Sequence, residues 1–270
     1  MTILDQLADH AKERVHYAKK TVSAERMRNY AYGLPIGDGE FEKALKKPGV
    51  SLICECKKAS PSKGVISEDF PYLAIAKDYE AAGADAISVL TEPKWFMGSL
   101  SYLEEIANDV SIPTLRKDFT IDEYMIYEAK IAGASAVLLI AALLEEQDIR
   151  NHLQICRELG LSALVECHDE NEVDIALSAG ASIIGVNNRN LKDFSVDVGL
   201  TEKLRNSIPK GVVMVSESGM KSVEDIKMLC KMGVDAVLIG ETLMRAENRQ
   251  ELLRSFKSAG DRANSKRESK

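Results

Sequence analysis

Four segments of the chain share one pattern, in which a helical end, a glycine and a small residue precede a buried apolar run. The segments are AAGADAISVL (81–90), IAGASAVLLI (131–140), SAGASIIGVN (178–187) and KMGVDAVLIG (231–240). Their first glycines lie 50, 47 and 53 residues apart. One strand with its helix needs only about 25–30 residues, so each interval holds two such units. The pattern therefore predicts an α/β fold, a single (β/α)8 TIM barrel.

Apolar runs between these segments complete the set of eight predicted strands. The predicted strands are 51–57, 86–90, 113–118, 136–140, 162–166, 182–187, 212–217 and 235–239. Helices are expected in the intervals, and Thr120 with Glu123 has the spacing of a capping box that would open one of them. The last helix is predicted over 248–259. The barrel then covers 49–260, and we expect 261–270 to be a polar, disordered tail.

The first 48 residues stand outside the strand–helix alternation. Residues 2–32 carry an apolar stripe at helical spacing with charges on the opposite face, which predicts a helix. Glycine and proline then break the pattern, and 41–45 is predicted to form one further turn or short helix. We expect residues 1–48 to be a helical extension packed on the barrel.

Composition and charge narrow the class of protein. The chain has 45% hydrophobic residues, enough for a sizeable core, and a net charge of −7 with a pI near 5.3. This acidic balance argues against a nucleic-acid partner. No apolar run approaches the ~18 residues of a membrane span, and the mixed charge of the N-terminal segment argues against secretion. We therefore expect a cytoplasmic protein with neither a membrane nor a nucleic-acid partner.

The chain has five cysteines, an odd number, and most of them lie in apolar runs. We expect reduced, buried thiols rather than disulfides. Neither Cys54-Glu55-Cys56 nor Cys167-His168 has the spacing of a zinc site. Adjacent residues of a strand face opposite sides and cannot chelate one ion together. No metal is predicted.

Polar and charged residues gather at the predicted strand ends. They are Glu55, Lys57, Lys117, Glu166 and Asn187, with Arg189 just beyond, and the run from Ser216 to Gly219. The C-terminal strand ends of a barrel meet at one mouth, where barrel enzymes carry out their chemistry. A single charge there is usually solvated, but burying several without mutual pairing would cost several kcal/mol each. The cluster therefore predicts a functional site.

Two glycine turns, at Gly219 and Gly240, follow the last two predicted strands. In barrels this corner commonly binds phosphate through backbone N–H groups and a short helix N-terminus. Gly240 could instead merely end its strand. The matched pair on adjacent strands favours a phosphate site over that alternative.

Seven motifs occur in order and with compatible spacing as far as about residue 258. They are CECKKASPSKG (54–64), SVLTEPKWFMGS (88–99), LRKDF (115–119), LVE (164–166), GVNNRNLKDF (185–194), SESG (216–219) and LIGETLM (238–244). Together they resemble the indole-3-glycerol phosphate synthase family. The resemblance implies conversion of 1-(2-carboxyphenylamino)-1-deoxyribulose 5-phosphate to indole-3-glycerol phosphate, with loss of CO2 and water, in tryptophan biosynthesis.

The resemblance also implies what the protein binds. It implies a small phosphorylated substrate, and neither a metal nor an organic cofactor. We expect a monomer, although the sequence itself leaves the oligomeric state open.

The same resemblance implies roles for the residues at the strand ends. Lys117 is similar to the general acid of ring closure, and Glu166 to its partner in proton transfer. Lys57 is similar to a family lysine that contacts the substrate and donates a proton in dehydration, and Glu55 would position it. Asn187 would hold the sugar hydroxyls or the developing charge. Which lysine acts at which step stays open.

Three further groups of residues follow from the resemblance. The phosphate corner comprises Ser218, Gly219, Gly240 and Glu241, with Ser218 also counted among the catalytic residues. A mobile lid comprises Ser60, Pro61 and Ser62. An apolar wall for the aromatic ring comprises Phe96, Phe119, Leu138 and Leu238. Plain barrel core is an equal alternative for the two leucines.

For some residues near the strand ends, the sequence leaves two interpretations open. Arg189 could bind the substrate carboxylate or brace Asn187 and Glu166. Glu217 also stays open, because strand parity puts it opposite its flanking serines but often fails at a strand end. The four histidines match no family catalytic position and are expected on the surface or in the core. They are His10, His16, His152 and His168.

Two rival functions are weighed against the synthase. Phosphoribosylanthranilate isomerase, another ribulose-phosphate barrel, uses a Cys/Asp pair, but strand parity points Cys56 away from the predicted pocket. The N-terminal extension and the SPSKG loop also favour the synthase. A non-catalytic barrel that binds a phosphorylated ligand would need the phosphate corner but not the acid–base set.

Overall fold

A computed structural model describes residues 2–190 and 193–265. Residues 191–192 of the GVNNRNLKDF motif and the end of the expected tail, 266–270, lie outside the described residues. The helices are α1 (Ile3–Thr21), α2 (Ala24–Tyr32), α3 (Glu40–Leu45), α4 (Tyr72–Ala81), α5 (Leu100–Asp109), α6 (Glu123–Ile131), α7 (Glu146–Leu159), α8 (Glu170–Ala179), α9 (Gly199–Leu204), α10 (Val223–Met232), α11 (Glu241–Met244) and α12 (Arg249–Ser265).

Eight parallel strands close into a barrel in chain order, and the last strand pairs with the first. The strands are β1 (Ser51–Cys56), β2 (Ala86–Leu90), β3 (Thr114–Lys117), β4 (Ala136–Ile140), β5 (Ser162–Cys167), β6 (Ile183–Asn187), β7 (Val213–Glu217) and β8 (Ala236–Ile239). The predicted (β/α)8 barrel is confirmed. Each strand lies within two residues of its predicted bounds, because buried apolar runs between turn signals mark strands clearly.

The repeated glycines end four of the helices that surround the barrel. Gly83, Gly133, Gly180 and Gly233 have φ of 95°, 80°, 95° and 81° at or next to the ends of α4, α6, α8 and α10. Only glycine adopts this left-handed conformation without a steric cost. The repeat is therefore the same helix stop used at every second unit of the barrel.

The N-terminal extension consists of separate helices rather than the single predicted helix over 2–32. Val22 is extended, and the Ser23 side chain caps a new helix by accepting a hydrogen bond from the Arg26 N–H. The first helix ends at the extended Val22 and the Ser23 cap begins the second, a break that the apolar stripe alone did not reveal. The short predicted turn at 41–45 is present as α3.

The apolar side chains of the core form two layers. One layer lies between the strands and the surrounding helices, and the other fills the barrel interior. Phe41 and Leu45 of α3 pack into the interior layer with Ile53. The Ser51 hydroxyl at the start of β1 donates to the carbonyl of Ala44, so α3 closes the N-terminal end of the barrel. The opposite mouth is left for the polar strand ends.

Two predicted helix ends are wrong. Helix α6 is capped by Asp122, whose side chain accepts from the Tyr124 N–H. The Thr120 hydroxyl, expected to cap this helix, is buried and makes no hydrogen bond within the described part of the chain. The last helix continues past 259 to Ser265. Gly260 lies against Val50, so a missing side chain there allows close packing rather than ending the helix.

All five cysteines are buried and form no disulfides, as the apolar context predicts. Cys54 and Cys56 belong to the layer outside the barrel, which bears out their predicted orientation away from its interior. Across residues 2–190 and 193–265, no helix carries an apolar stretch that could cross a lipid bilayer.

Candidate active site

Lys117 is held between two carboxylates at the mouth of the barrel. Its Nζ lies 3.0 Å from Glu166 Oε2 and 3.3 Å from Glu217 Oε2. The three residues come from β3, β5 and β7, so alternate strands supply the cluster. Both glutamate side chains are only 2% exposed, and that of Lys117 is 14% exposed. The barrel thus keeps an ammonium group inside, paired on two sides.

The register of the sheet explains why Glu217 faces inward. Glu217 pairs with Asn187 of β6 and with Leu238 of β8. Paired residues of neighbouring strands point to the same face, and both partners line the barrel interior. Ser216 faces outward, where it accepts from the Asn188 side chain. The position that the sequence left open is therefore inside the site.

The buried cluster changes the protonation of its members. Burial lowers the pKa of Lys117, but the carboxylates of Glu166 and Glu217 outweigh it and raise that pKa above its ordinary value. Burial raises the pKa of Glu166, yet Lys117 and His168 lower it overall. Burial and the neighbouring Glu166 together raise the pKa of Glu217 to about 7. One carboxylate is thus held ionised, and the other can carry a proton near neutral pH.

A second lysine–glutamate pair stands at the end of β1. Lys57 Nζ lies 2.6 Å from Glu55 Oε1, and both side chains are largely buried. Gly240, at the end of β8, leaves room for them. A β-carbon at position 240 would lie 2.3 Å from Glu55 Oε1 and 3.0 Å from Lys57 Nζ. The glycine that the sequence placed in the phosphate corner therefore also makes space for this pair.

Asn187 links the carboxylates to the end of β7. Its Nδ2 donates to Glu166 Oε1 at 3.1 Å, and its Oδ1 accepts from the Ser218 hydroxyl at 2.9 Å. Ser218 has a φ of 65°, and this left-handed turn brings it to the same side as Glu217. Asn188 holds the turn from behind by donating to the carbonyls of Glu217 and Ser218. The predicted residues Asn187 and Ser218 thus belong to one hydrogen-bonded unit.

The predicted phosphate corner contains cationic side chains as well as glycines. The Glu241 carboxylate lies 3.8 Å from Lys63 Nζ, 3.8 Å from Arg189 Nη2 and 3.3 Å from Arg245 Nε. Lys63 comes from a small hairpin after β1, in which Ala59–Ser60 pairs with Gly64–Val65. Three positive groups from three parts of the chain therefore surround this end of the cavity.

Arg189 contributes to the site through two different groups. Its side chain turns toward the phosphate corner, where Nη1 also donates to the carbonyl of Phe194 at 3.4 Å. Its backbone N–H donates to Asn187 Oδ1 at 3.1 Å. The backbone braces Asn187, and the guanidinium remains available to a ligand.

An apolar wall faces these polar groups. The rings of Phe96 and Phe119 lie 6.0 Å apart and line the cavity. The first turns of α1 complete the wall with Ile3, Leu4 and Leu7. The sequence predicted an apolar stripe on this helix but not its place over the mouth, because helical periodicity does not identify the surface that it covers.

Two buried carboxylates, Asp118 and Glu92, hold α1 and the aromatic loop over the mouth. Arg14 makes two hydrogen bonds, of 2.6 and 3.1 Å, to Asp118, the residue that follows Lys117. His10 contacts Glu92 at 3.1 Å. Glu92 also accepts from the backbone N–H of Phe96, which sets the position of that ring. Removing either carboxylate would leave buried donors unpaired, so the wall is held rigidly.

One cavity of about 750 Å³ brings all of these groups together. Every residue predicted for the site lines it: Glu55, Lys57, Ser60, Pro61, Ser62, Phe96, Lys117, Phe119, Leu138, Glu166, Asn187, Arg189, Ser218, Gly219, Leu238, Gly240 and Glu241. Lys63 and the α1 residues line it too and were not predicted. The roles of the individual residues remain predictions.

Comparison with protein families identifies one match over nearly the whole chain. The family model described as "Indole-3-glycerol phosphate synthase" matches residues 4–256. A protein of that name from Ruminiclostridium cellulolyticum is 55% identical over 248 residues, which cover 90% of this chain and 94% of the relative. Another from Lacticaseibacillus paracasei is 51% identical over 256 residues, 94% of this chain and 98% of the relative.

Similar solved structures support the fold alone. The 3-hexulose-6-phosphate synthase of Salmonella typhimurium superposes with a TM-score of 0.66 and 15% identity, covering 79% of this chain and 100% of that one. KGPDC from Streptococcus mutans has a TM-score of 0.62 and 14% identity, covering 80% and 99%. At such low sequence identity, the shared barrel fold gives no information about the reaction.

Proposed function

The chain belongs to the indole-3-glycerol phosphate synthase family, and we propose that its barrel mouth carries out that family's reaction. The substrate is 1-(2-carboxyphenylamino)-1-deoxy-D-ribulose 5-phosphate, and the products are indole-3-glycerol phosphate, CO2 and water. The step serves tryptophan biosynthesis, and the enzyme is a carboxy-lyase. The observation that carries this proposal is the Lys117 ammonium paired with Glu166 inside a large cavity.

Ring closure needs an acid at the ketone of the substrate, because the aromatic carbon is a weak nucleophile. Lys117 donates its proton to the ketone oxygen while the ring carbon that bears the carboxylate attacks the carbonyl carbon. Loss of CO2 then returns the electron pair to the ring. The raised pKa of Lys117 keeps it protonated before this step. The ammonium form and its place on the cavity lining support the role of general acid, while the raised pKa by itself would make Lys117 a weaker proton donor.

Dehydration needs a base for a carbon-bound proton and an acid for the departing hydroxyl. Glu166 is held ionised and takes the proton. Lys57, paired with Glu55, donates to the hydroxyl, which leaves as water. Glu166 lies 3.0 Å from Lys117 and can return its proton there. The overall reaction of a carboxylate substrate then draws one proton from solvent, which restores Lys57.

The substrate's ends bind at opposite sides of the cavity in this proposal. The phosphate binds between the turns at Gly219 and Gly240, with Ser218 and Glu241 offering further backbone N–H groups. Lys63 and Arg189 add positive charge there, which supports an anionic ligand at this corner. Asn187 holds the sugar hydroxyls from the middle of the cavity.

The aromatic ring binds against the opposite, apolar wall. Phe96 and Phe119 form this wall, and Leu138 and Leu238 of the barrel interior form the floor on which the ring rests. The hairpin residues Ser60, Pro61 and Ser62 act as a lid that excludes water when substrate is bound. The lid position is supported by the place of all three residues on the cavity lining.

We also propose that the protein acts in the cytoplasm, as a monomer, without a metal or an organic cofactor. Five buried thiols that form no disulfide support a reducing compartment. Every proton in the scheme above moves among side chains, substrate and solvent, so the chemistry itself calls for no added group.

The test is the appearance of indole fluorescence when purified protein meets the carboxyphenylamino-deoxyribulose phosphate. The synthase produces the signal from this substrate but not from phosphoribosylanthranilate. An isomerase would instead consume phosphoribosylanthranilate, and a non-catalytic barrel would bind ligand without turnover. A folded protein that gives no fluorescence from the first substrate would overturn the proposal.

A further inference from the structure

His168 stands directly behind the cavity, at the point where β5 passes into α8. The sequence placed it on the surface or in the core without a function. Its side chain is only 16% exposed, and it does not line the cavity. Asp169 caps α8 by accepting from the Glu172 N–H, which fixes the backbone on both sides of the loop.

The imidazole of His168 faces the carboxylate proposed as the base. Glu166 presents Oε2 to Lys117 at 3.0 Å, and its Oε1 lies 3.1 Å from Asn187 Nδ2 and 3.4 Å from His168 Nε2. The His168 Nε2 is buried and makes no hydrogen bond among the described residues, so at 3.4 Å it can act on Glu166 only through charge, when the ring is protonated. Glu166 is thus flanked from the front by the lysine and from behind by the histidine.

Glu172 holds the other side of the ring. Its Oε2 lies 3.2 Å from His168 Nδ1 and accepts from the His168 backbone N–H at 2.7 Å. A neutral imidazole has only one N–H, whereas both carboxylates can only accept when ionised. The imidazolium is therefore the form that the two carboxylates favour, because it donates from Nδ1 to Glu172 and places its positive charge next to Glu166.

The charged groups around His168 favour the protonated ring. Glu166 of β5, Glu217 of β7 and Glu172 of α8 all act on the ring. Burial lowers the pKa of His168, but these carboxylates outweigh it and raise the pKa above its ordinary value. Lys117 opposes them from beyond Glu166, where it is already paired.

We propose that His168 is a positioning residue: held by Glu172, its imidazolium fixes Glu166 from behind so that Oε2 stays on Lys117 and faces the substrate. The inference rests on the proposed function, because Glu166 is the base of that reaction. It adds a pair of residues that touch neither substrate nor cavity. Rotation of Glu166 away from Lys117 would separate the base from the acid that it recharges.

The test uses four variants of the whole chain in the fluorescence assay. His168→Leu removes the contact and should lower kcat by about 10²-fold, since misplaced catalytic groups cost that much, with a smaller change in KM. His168→Gln keeps an N–H donor without a titrating charge and should recover part of the loss. Glu172→Gln leaves His168 in the chain but removes a carboxylate that favours its protonated form. His16→Gln, on the exposed face of α1, is the control and should match wild type.

The dependence of kcat on pH distinguishes a positioning role of His168 from a merely structural one. Wild-type kcat should fall on the alkaline side as His168 loses its proton. Glu172→Gln should move this fall to lower pH, because a lost carboxylate lowers the pKa of the ring, and His168→Gln should remove the part that belongs to the ring and leave that of Glu217. NMR titration of the His168 ring should show the same displacement in Glu172→Gln.

Two results would overturn the inference: a profile identical in wild type and His168→Gln, or a kcat for soluble, folded His168→Gln and His168→Leu equal to that of wild type. A wild-type protein without synthase activity would instead refute the proposed function. The NMR titration does not depend on turnover, so it tests the contacts of His168 in either case.

Discussion

Gly240 and Glu55 approach so closely that a β-carbon on Gly240 would lie 2.3 Å from Glu55 Oε1. Gly240 has a φ of −116°, which alanine also adopts, so Gly240→Ala tests space rather than backbone strain. The added methyl group must displace the Glu55–Lys57 pair. We expect kcat to fall by about 10²-fold, the cost of misplacing a catalytic group, while the thermal midpoint changes little.

Gly83→Ala is the matched control for this change. Gly83 has a φ of 95°, and apart from Gly83 and its neighbours along the chain no atom of the described residues lies within 4 Å of a β-carbon built there. Alanine in this left-handed conformation should lower stability by about 1 kcal/mol and leave kcat unchanged. Equal kcat values for Gly240→Ala and wild type would show that the Glu55–Lys57 pair tolerates displacement.

The raised pKa of Glu217 predicts how stability depends on pH. A carboxyl group that binds its proton more tightly in the folded than in the unfolded state stabilises the fold at low pH. That contribution is lost as pH rises from about 4.5, the ordinary value, to about 7. Wild type should therefore lose on the order of 1 kcal/mol per pH unit from this group within the window.

Glu217→Gln removes this titration, so its free energy of unfolding should decline less between pH 5 and pH 8 than that of wild type. Urea denaturation at several pH values measures the difference. Glu104→Gln, on the exposed surface of α5, is the control and should follow wild type. A Glu217→Gln variant with the wild-type slope would refute the protonated state of Glu217.

The orientation of Cys56 argues against the isomerase alternative and for the synthase. It is 1% exposed and packs outside the barrel, away from the substrate cavity. Cys56→Ser buries a hydroxyl in apolar surroundings and should cost about 1–3 kcal/mol of stability, with kcat unchanged. Cys56→Ala, which adds no polar group, should be the milder variant. Lost turnover in a well-folded Cys56→Ser protein would show that the thiol takes part in the reaction.

The sequence predicted the barrel well because its signals are local. The glycine stop at the end of α4 recurs at every second unit, and each strand is a short apolar run. Polar residues at strand ends must meet at the mouth once the barrel closes, so Lys117 and Glu166 could be placed together 49 residues apart.

The parts that the sequence missed depend on contacts between distant segments. Glu217 and Ser218 both face the cavity because Ser218 turns into the left-handed region, which alternation along a strand cannot reveal. The wall formed by Ile3 depends on the Arg14–Asp118 pair, which joins α1 to β3. The contact of His168 with Glu166 follows from the loop after β5, where no periodic pattern applies.

The most direct test of the whole account is the kcat of Lys117→Ala in the indole fluorescence assay, with circular dichroism to establish that the variant is folded. If Lys117 is the acid of ring closure, kcat should fall by about 10²-fold or more, and saturating substrate should not restore it. A variant with wild-type kcat and a raised KM would contradict the account, because Lys117 would then only bind the substrate.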